Sequence, residues 1–390
     1  MIHKALRDIP LPALLLDIKV FDENCRTIAA KAQGKTIRIA TKSIRSVPVL
    51  RRILQSSSTF QGLMCFSPKE ALFLEEKGFD DILLGYPCWD NDALRQMARR
   101  NLSGKQFICM IDSLEHLIYL EQLAKEVDGL FYLCIDGDMS SRFSGFHFGV
   151  RRSPIHQEQQ LLPLLEKIKE TDHLTIVGFM GYEAQIAGVG DNVPGAHIKN
   201  KIITFLKNRS LNEIVFRRQN FVETIKNEEF ELTLVNGGGT GSILTTSTEE
   251  VVTEITVGSG FYSPLLFDYY SDFQYKPSLF FALPIVRKPT ATIFTCLGGG
   301  YIASGPPGQD KVPQPIYPMG GKLLPLEAAG EVQTPVYYEN QPSLEIGDAI
   351  IFRAAKAGEI CERFNEIICF SDGQIVQSYP TYRGEGGCFL

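Results

Sequence analysis

Histidine is scarce in this chain and stops halfway along it: the six histidines stand at His3, His116, His147, His156, His173 and His197. The second half therefore offers no histidine-based metal site. The nine cysteines form no CxxC pair, which excludes a zinc-ribbon framework and fits reduced, buried thiols. The terminal GCFL sets cysteine third from the end, so the prenylation pattern is not met. No run of 18 apolar residues occurs, and the opening MIHKALRDIPLPA lacks the apolar core of a signal peptide, so the expectation is a cytoplasmic protein without a membrane partner. Basic charge is also in short supply: 39 Lys and Arg face 45 Asp and Glu, for a net charge of -6 and a pI near 5.7. That balance argues against nucleic acid as a partner. Repeats and low-complexity tracts are absent.

What the 390 residues do contain is an ordinary globular composition, 44% hydrophobic, and a length that suggests two domains. Strand patterns at 36–42, 60–66, 81–86, 106–111, 130–135, 174–180, 231–235 and 253–257 alternate with helical patterns such as 21–33, 68–77, 91–100, 114–127 and 157–169. Eight βα units over about 230 residues predict a (β/α)₈ TIM barrel. One connection is long, with a helical stretch at 198–207, a charged one at 212–229 and a Gly/Pro-bearing loop at 186–195. Near residue 268 the pattern changes to short alternating strands punctuated by glycine and proline. The expected organisation is α/β, with a barrel over 17–267 and an all-β domain formed by 268–390 together with 1–16.

The first barrel strand, in the stretch TIRIATKSIRS over 36–46, ends in Lys42. Strand parity sets Arg38, Ala40 and Lys42 toward the interior and Ile37, Ile39 and Thr41 toward the helices. A lysine on the C-terminal lip of a barrel strand stands where such folds place their chemistry. It is a candidate imine former, against the plain reading of a surface lysine. At the end of strand seven stands VNGGGTGS, where consecutive glycines let amide N–H groups converge on an anion, strengthened by a following helix start. Strand eight ends in VGSGFY. A flexible glycine turn is the alternative, but phosphate sites after strands seven and eight are frequent in TIM barrels. Lysine on one side of the mouth and a phosphate cradle on the other suit a phosphorylated aldehyde, for which pyridoxal 5'-phosphate (PLP) is the natural candidate. Asp136 and Asp138 share a face after strand five and call for a cation, from Arg142 or Lys42, unless they merely satisfy loop amides.

Together LPALLLDIKVFDENC, RIATKS, GFMGYEAQ, NGGGTGS and TEITVGSGFY resemble the fold-type III PLP enzymes, and among them the D-threonine aldolase and D-serine dehydratase branch related to alanine racemase. The resemblance implies that Lys42 forms the internal aldimine and serves as a base at Cα, that Asn236, Gly238, Gly239, Thr240, Gly241, Ser259 and Gly260 hold the phosphate, that Tyr182 lies near the cofactor and that Arg142 approaches its hydroxyl side. It also implies a homodimer in which the β domain of one subunit faces the other's barrel mouth. In the segment 297–306 of that domain, Tyr301 would then be an acid or base reaching the partner's site, against the plain reading of a bulged hairpin.

The sequence departs from that branch at its metal. A histidine and, two residues on, an aspartate or cysteine are expected, whereas 356–365 reads KAGEICERFN. Glu359 replaces the histidine and Cys361 remains; the two would share a strand face and hold zinc, or Glu359 would join Arg363 in a metal-free polar cluster. The resulting expectation is a PLP-dependent aldolase or lyase acting on a D-amino acid with a β-hydroxyl. An amino acid racemase is the first alternative, and a PLP-binding protein without turnover is the alternative of another class.

Overall fold

The computed structural model describes residue 6 and residues 9–390. β1 (Ala13–Asp17) leads directly into α1 (Ile18–Ala30), whose first turn is capped by the Asp17 carboxylate accepting from the Val20 amide. β2 (Thr36–Ala40), β3 (Phe60–Cys65), β4 (Ile82–Leu84), β5 (Phe107–Ile111) and β6 (Phe131–Asp136) follow, then a small hairpin of β7 (Ser141–Phe143) and β8 (Phe146–Phe148), then β9 (Leu174–Gly181), β10 (Leu234–Gly237) and β11 (Glu254–Val257). Eight of these strands close a parallel barrel in the order β10-β11-β2-β3-β4-β5-β6-β9.

The intervening helices are α2 (Val47–Ser56), α3 (Pro68–Glu76), α4 (Asn91–Leu102), α5 (Leu114–Val127), α6 (Leu162–Lys169), α7 (Ala184–Ala187), α8 (His197–Asn227) and α9 (Ile243–Thr246). Ser67, Asp90 and Ser113 cap α3, α4 and α5 by accepting from the amides of Glu70, Ala93 and His116. Ile37 and Ile39 are fully buried in the main core, as parity requires. Arg38 lies inside the barrel, 2.8 Å from Glu254 and 2.9 Å from Asp81, and Asn236 donates to Glu254 at 2.7 Å and to Thr256 at 2.8 Å. Gly62, at φ +67°, leaves room for that guanidinium, which any Cβ there would strike.

The stretches 198–207 and 212–229 belong to one 31-residue helix, α8, rather than to two segments. Ser210 and Asn212 interrupt the apolar pattern, but the Ser210 hydroxyl donates to the Leu206 carbonyl within the helix. No helix among the described residues is long and apolar enough to cross a membrane.

Beyond the barrel come β12 (Leu279–Thr290), β13 (Ile293–Leu297), β14 (Gln314–Tyr317), β15 (Lys322–Leu323), β16 (Gln333–Tyr337), β17 (Ala349–Arg353), β18 (Glu366–Ser371) and β19 (Gln374–Pro380). They form one sheet in the order β15-β16-β13-β12-β1-β18-β19, with β17 pairing β12 and β14. β1 enters it between β12, antiparallel, and β18, parallel, so the sheet carries strands from both ends of the chain.

Candidate active site

β2 ends at Ala40, and Lys42 stands in the single 3₁₀ turn of residues Thr41–Ser43 just beyond it. Its ammonium donates to the Tyr86 hydroxyl at 2.6 Å and lies 5.3 Å from that ring's centre. Tyr86 occupies the same lip after β4. Gly85, Tyr86, Asp112, Asp136, Met139, Arg152 and Tyr182 are among the residues around a cavity of about 270 Å³ at the barrel mouth. Arg152 lies at the cavity's solvent edge with its guanidinium 5.6 Å from the Tyr182 ring centre and 5.9 Å from that of Tyr86, in reach of both π faces. Burial pushes the Tyr182 phenol up to about 12, against the pull of Arg152.

The two carboxylates after β6 part company. Asp138 accepts from the Ser140 amide at 2.9 Å and hydroxyl at 2.7 Å and sits 3.2 Å from His156 Nδ1, so it is occupied by its own loop. Asp136 is 9% exposed, faces the cavity and has no side-chain hydrogen bond among the described residues. Burial, then the charge of Asp112, raises its carboxyl to about 8 despite Arg152, so it is largely neutral at pH 7. Asp112 is raised as well, by burial. The nearby cation is Arg152, not Arg142: Arg142 is exposed on β7 and lines a separate surface cavity with Phe146, His147 and Arg151.

The glycine loop follows β10, and with the loop after β11 it stands beside the Lys42 turn rather than on the far side of the mouth, because β11 pairs with β2. Gly238, at φ +75°, donates its amide to Glu183 Oε2 at 3.0 Å, and Gly239 donates to the Ser242 hydroxyl at 3.1 Å. Glu183, 1% exposed, also accepts from Arg218 at 2.6 Å, from Ser242 at 2.8 Å and from the Thr246 hydroxyl. It is thus the post to which the loop is tied. The amides of Thr240, Gly241 and Ser259 have no acceptor among the described residues. The Ser259 hydroxyl meets that of Ser43 at 3.0 Å, and the Gly260 amide donates to Thr240 Oγ1 at 3.2 Å. The helix after the loop, α9, is a single turn of four residues. Its dipole is correspondingly small, so the donors on offer here are free amides and hydroxyls. The Asn236 side chain is spent inside the barrel, away from this loop.

The structure thus gathers Lys42 and Tyr182 around the mouth and places Gly238, Gly239, Thr240, Gly241, Ser259 and Gly260 on the two facing loops. Tyr86, Asp112 and Arg152 join them without having been singled out from the sequence. The signal was available for the first two, which directly follow strands, as Lys42 does.

In the second domain, Glu359 and Cys361 lie on a 3₁₀ turn, Glu359–Arg363, rather than on a strand. Glu359 accepts from the Ser304 amide at 2.8 Å and from its hydroxyl. The Cys361 thiol is 1% exposed, and burial raises it to about 12. No group of three His, Cys, Asp or Glu capable of holding a metal occurs among the described residues. This donor pair does not fit zinc. Tyr301 packs edge-on against Phe281 and Phe364, with ring centres at 5.0 and 5.6 Å.

Fold and site together define a (β/α)₈ protein with a β domain, whose barrel mouth sets a primary amine after β2 beside, rather than across from, the free amides that follow β10 and β11. The chain belongs to the alanine racemase N-terminal domain family, whose model matches residues 16–264. Among solved structures it is similar to D-threonine aldolase from Filomicrobium marinum at 16% identity, covering 97% of this chain and 96% of that one with a TM-score of 0.80. It is similar to D-threo-3-hydroxyaspartate dehydratase from Delftia sp. HT23 at 16% identity, covering 96% and 98%, TM-score 0.74. The alanine racemase of Clostridium difficile 630 aligns at 12% identity over 95% and 98%, TM-score 0.65. No curated protein sequence matches.

The residues present fit PLP. Lys42 supplies the amine, and the unpartnered amides of Thr240, Gly241 and Ser259 supply donors for a phosphate. Gly239 keeps the cradle open: a Cβ there would stand 2.9 Å from that of Ala187 and 3.5 Å from the Tyr182 ring.

Proposed function

We propose that the chain is a PLP-dependent lyase that cleaves a D-configured amino acid bearing a β-hydroxyl. The observation that carries this reading is Lys42, 2.6 Å from the hydroxyl of Tyr86, which lines the cavity, with free amides on the neighbouring loops after β10 and β11. The similar structures named as acting on D-threonine and D-threo-3-hydroxyaspartate support the substrate class.

Thr240, Gly241 and Ser259 would hold the phosphate and Lys42 the carbonyl carbon. When bound, the pyridine ring serves as an electron sink that acidifies Cα. Lys42 then moves the proton at Cα. Tyr86, which lines the cavity, fixes the direction of the exposed lysine and shares its proton. Arg152, held between two tyrosine faces, offers a planar fork for the substrate carboxylate. Asp136, protonated at neutral pH, donates a hydrogen bond into the cavity without adding a charge that would repel that carboxylate.

The test is covalent labelling. PLP is added, the mixture is reduced with borohydride, and the modified peptide is located by mass spectrometry. The label is expected on Lys42 and is expected to vanish in Lys42→Ala; aldehyde is expected from D- but not L-β-hydroxy amino acids. A label on other lysines alone, or none, overturns the reading.

A further inference from the structure

The second domain brings a segment bearing another lysine against the Lys42 turn. Gly358, at φ +88°, presses its backbone onto the Lys42 turn so closely that a Cβ would overlap the Lys42 carbonyl and stand 2.8 Å from Ser43 Cα. Two residues earlier stands Lys356, half-buried. Its ammonium donates to the Ser304 carbonyl at 2.6 Å and to the Ser304 hydroxyl at 3.2 Å. Ser304 is in turn clamped through amide and hydroxyl by Glu359. The two Ser304 contacts fix the direction of the amine and leave its remaining position, a third N–H when charged and a lone pair when neutral, for a ligand.

The charged groups around it are Glu359, Lys311, Lys42 and Asp310, and the first effect on it is burial. Lys311 and Lys356 flank Gly305, where a Cβ would lie 3.3 Å from Lys311 Cε and 3.7 Å from Lys356 Nζ. Burial first, joined by the neighbouring Lys311 and Lys42 charges, holds the Lys356 amine below the ordinary lysine range against the pull of Glu359 and Asp310.

We propose that Lys356 is the acid–base group for the substrate's β-oxygen, held in place by Ser304 and Glu359; the proposal rests on the lyase reading above. In cleavage the Lys356 amine, in its neutral form, takes the β-hydroxyl proton on its lone pair, and the O–H electron pair becomes the second bond of a carbonyl. The Cα–Cβ bond breaks with its pair left at Cα, the aldehyde departs, and Cα receives a proton from Lys42. Lys356 returns its proton to solvent, and no oxidant or reductant is consumed. Glu359 and Ser304 are positioning residues in this scheme.

Two experiments test it. In the holoenzyme, aldehyde release from a β-hydroxy D-amino acid is compared with exchange of the α-proton of D-alanine in deuterated water, which involves no β-oxygen. In Lys356→Met and Lys356→Arg the ratio of cleavage to exchange is expected to fall by about 10²- to 10⁴-fold. An unchanged ratio, whether both rates fall or neither does, overturns the role. In the PLP-free chain, reductive methylation of Lys356 is followed against pH by peptide mass spectrometry, with and without Lys42→Met. The pH of half-reaction should rise when the Lys42 charge is removed, and an unmoved value overturns the pairing of the two amines. A wild type that exchanges but cleaves nothing overturns both this proposal and the lyase reading. With cleavage intact and the ratio unmoved, the proposal alone fails.

Discussion

Removing the Glu183 carboxylate should cost far more than neutralising it. The side chain ties four donors: the Gly238 amide at 3.0 Å, Arg218 at 2.6 Å, Ser242 at 2.8 Å and the Thr246 hydroxyl. Glu183→Ala strips all four. It leaves the Gly238 amide unpaired and Arg218, 0% exposed, to the Gly181 carbonyl and Glu249. Breaking one side of such a buried ion pair costs roughly 3–5 kcal/mol. Glu183→Gln is different. Its carbonyl can turn to Arg218 and Gly238, while its amide donates to the hydroxyls of Ser242 and Thr246, which accept as readily as they donate. Only charge assistance is lost, about 1–2 kcal/mol. Denaturant unfolding measures both costs, and titration with PLP measures the cradle, whose affinity should fall at least about tenfold in Glu183→Ala, equivalent to 1.4 kcal/mol. Equal costs for the two variants, or a Glu183→Ala cost under about 1 kcal/mol, would refute the view of this carboxylate as the loop's anchor.

Asp136 carries a pH signature. Its folded value near 8 lies above the ordinary carboxyl value near 4, so its stabilising contribution is complete below about pH 4 and disappears as pH rises to 8. Asp136→Asn should therefore gain on wild type across that window, by at least about 2 kcal/mol at pH 9, and parallel stability–pH curves would contradict the assignment. Tyr86→Phe removes the hydroxyl 2.6 Å from Lys42; turnover should drop about 10²-fold with folding stability nearly unchanged, and a variant as active as wild type would exclude Tyr86 from proton handling. Gly239→Val puts side-chain carbons where only 2.9 Å separates a Cβ from Ala187; PLP affinity, read by equilibrium dialysis, should weaken while Lys42 stays competent for slow labelling, and unaltered affinity would move the phosphate elsewhere.

The barrel was legible because period-two and period-3.6 patterns alternate cleanly, and because Ser67, Asp90 and Ser113 announce helix starts in the sequence itself. Lys42 was legible for the same reason: a charged residue past a β-branched run has only the lip to occupy. Arg152 was not, since the β7–β8 hairpin between it and β6 brings it back to the mouth over a turn that no periodicity encodes. Nor was the role of Glu183, because its partners Arg218 and Thr246 lie 35 and 63 residues away. Lys356 lies still farther from Lys42 in sequence, and only the Gly358 contact joins their neighbourhoods.

Asn236 shows why a residue's place in a motif does not settle its job. Strand parity turns it inward, and inward there means the sealed layer of Arg38, Asp81 and Glu254, where the guanidinium alone makes five hydrogen bonds. Charges paired that completely have nothing left for a ligand, and their burial is tolerable for that reason. One layer up, Asp112 and Asp136 face the cavity without hydrogen-bond partners among the described residues, and Lys42 has only Tyr86. Both layers are polar and lie within the same barrel. What separates structure from chemistry is unspent hydrogen-bonding capacity: the closed layer holds the strands in register, and the open one holds groups whose missing partners a cofactor and substrate would supply.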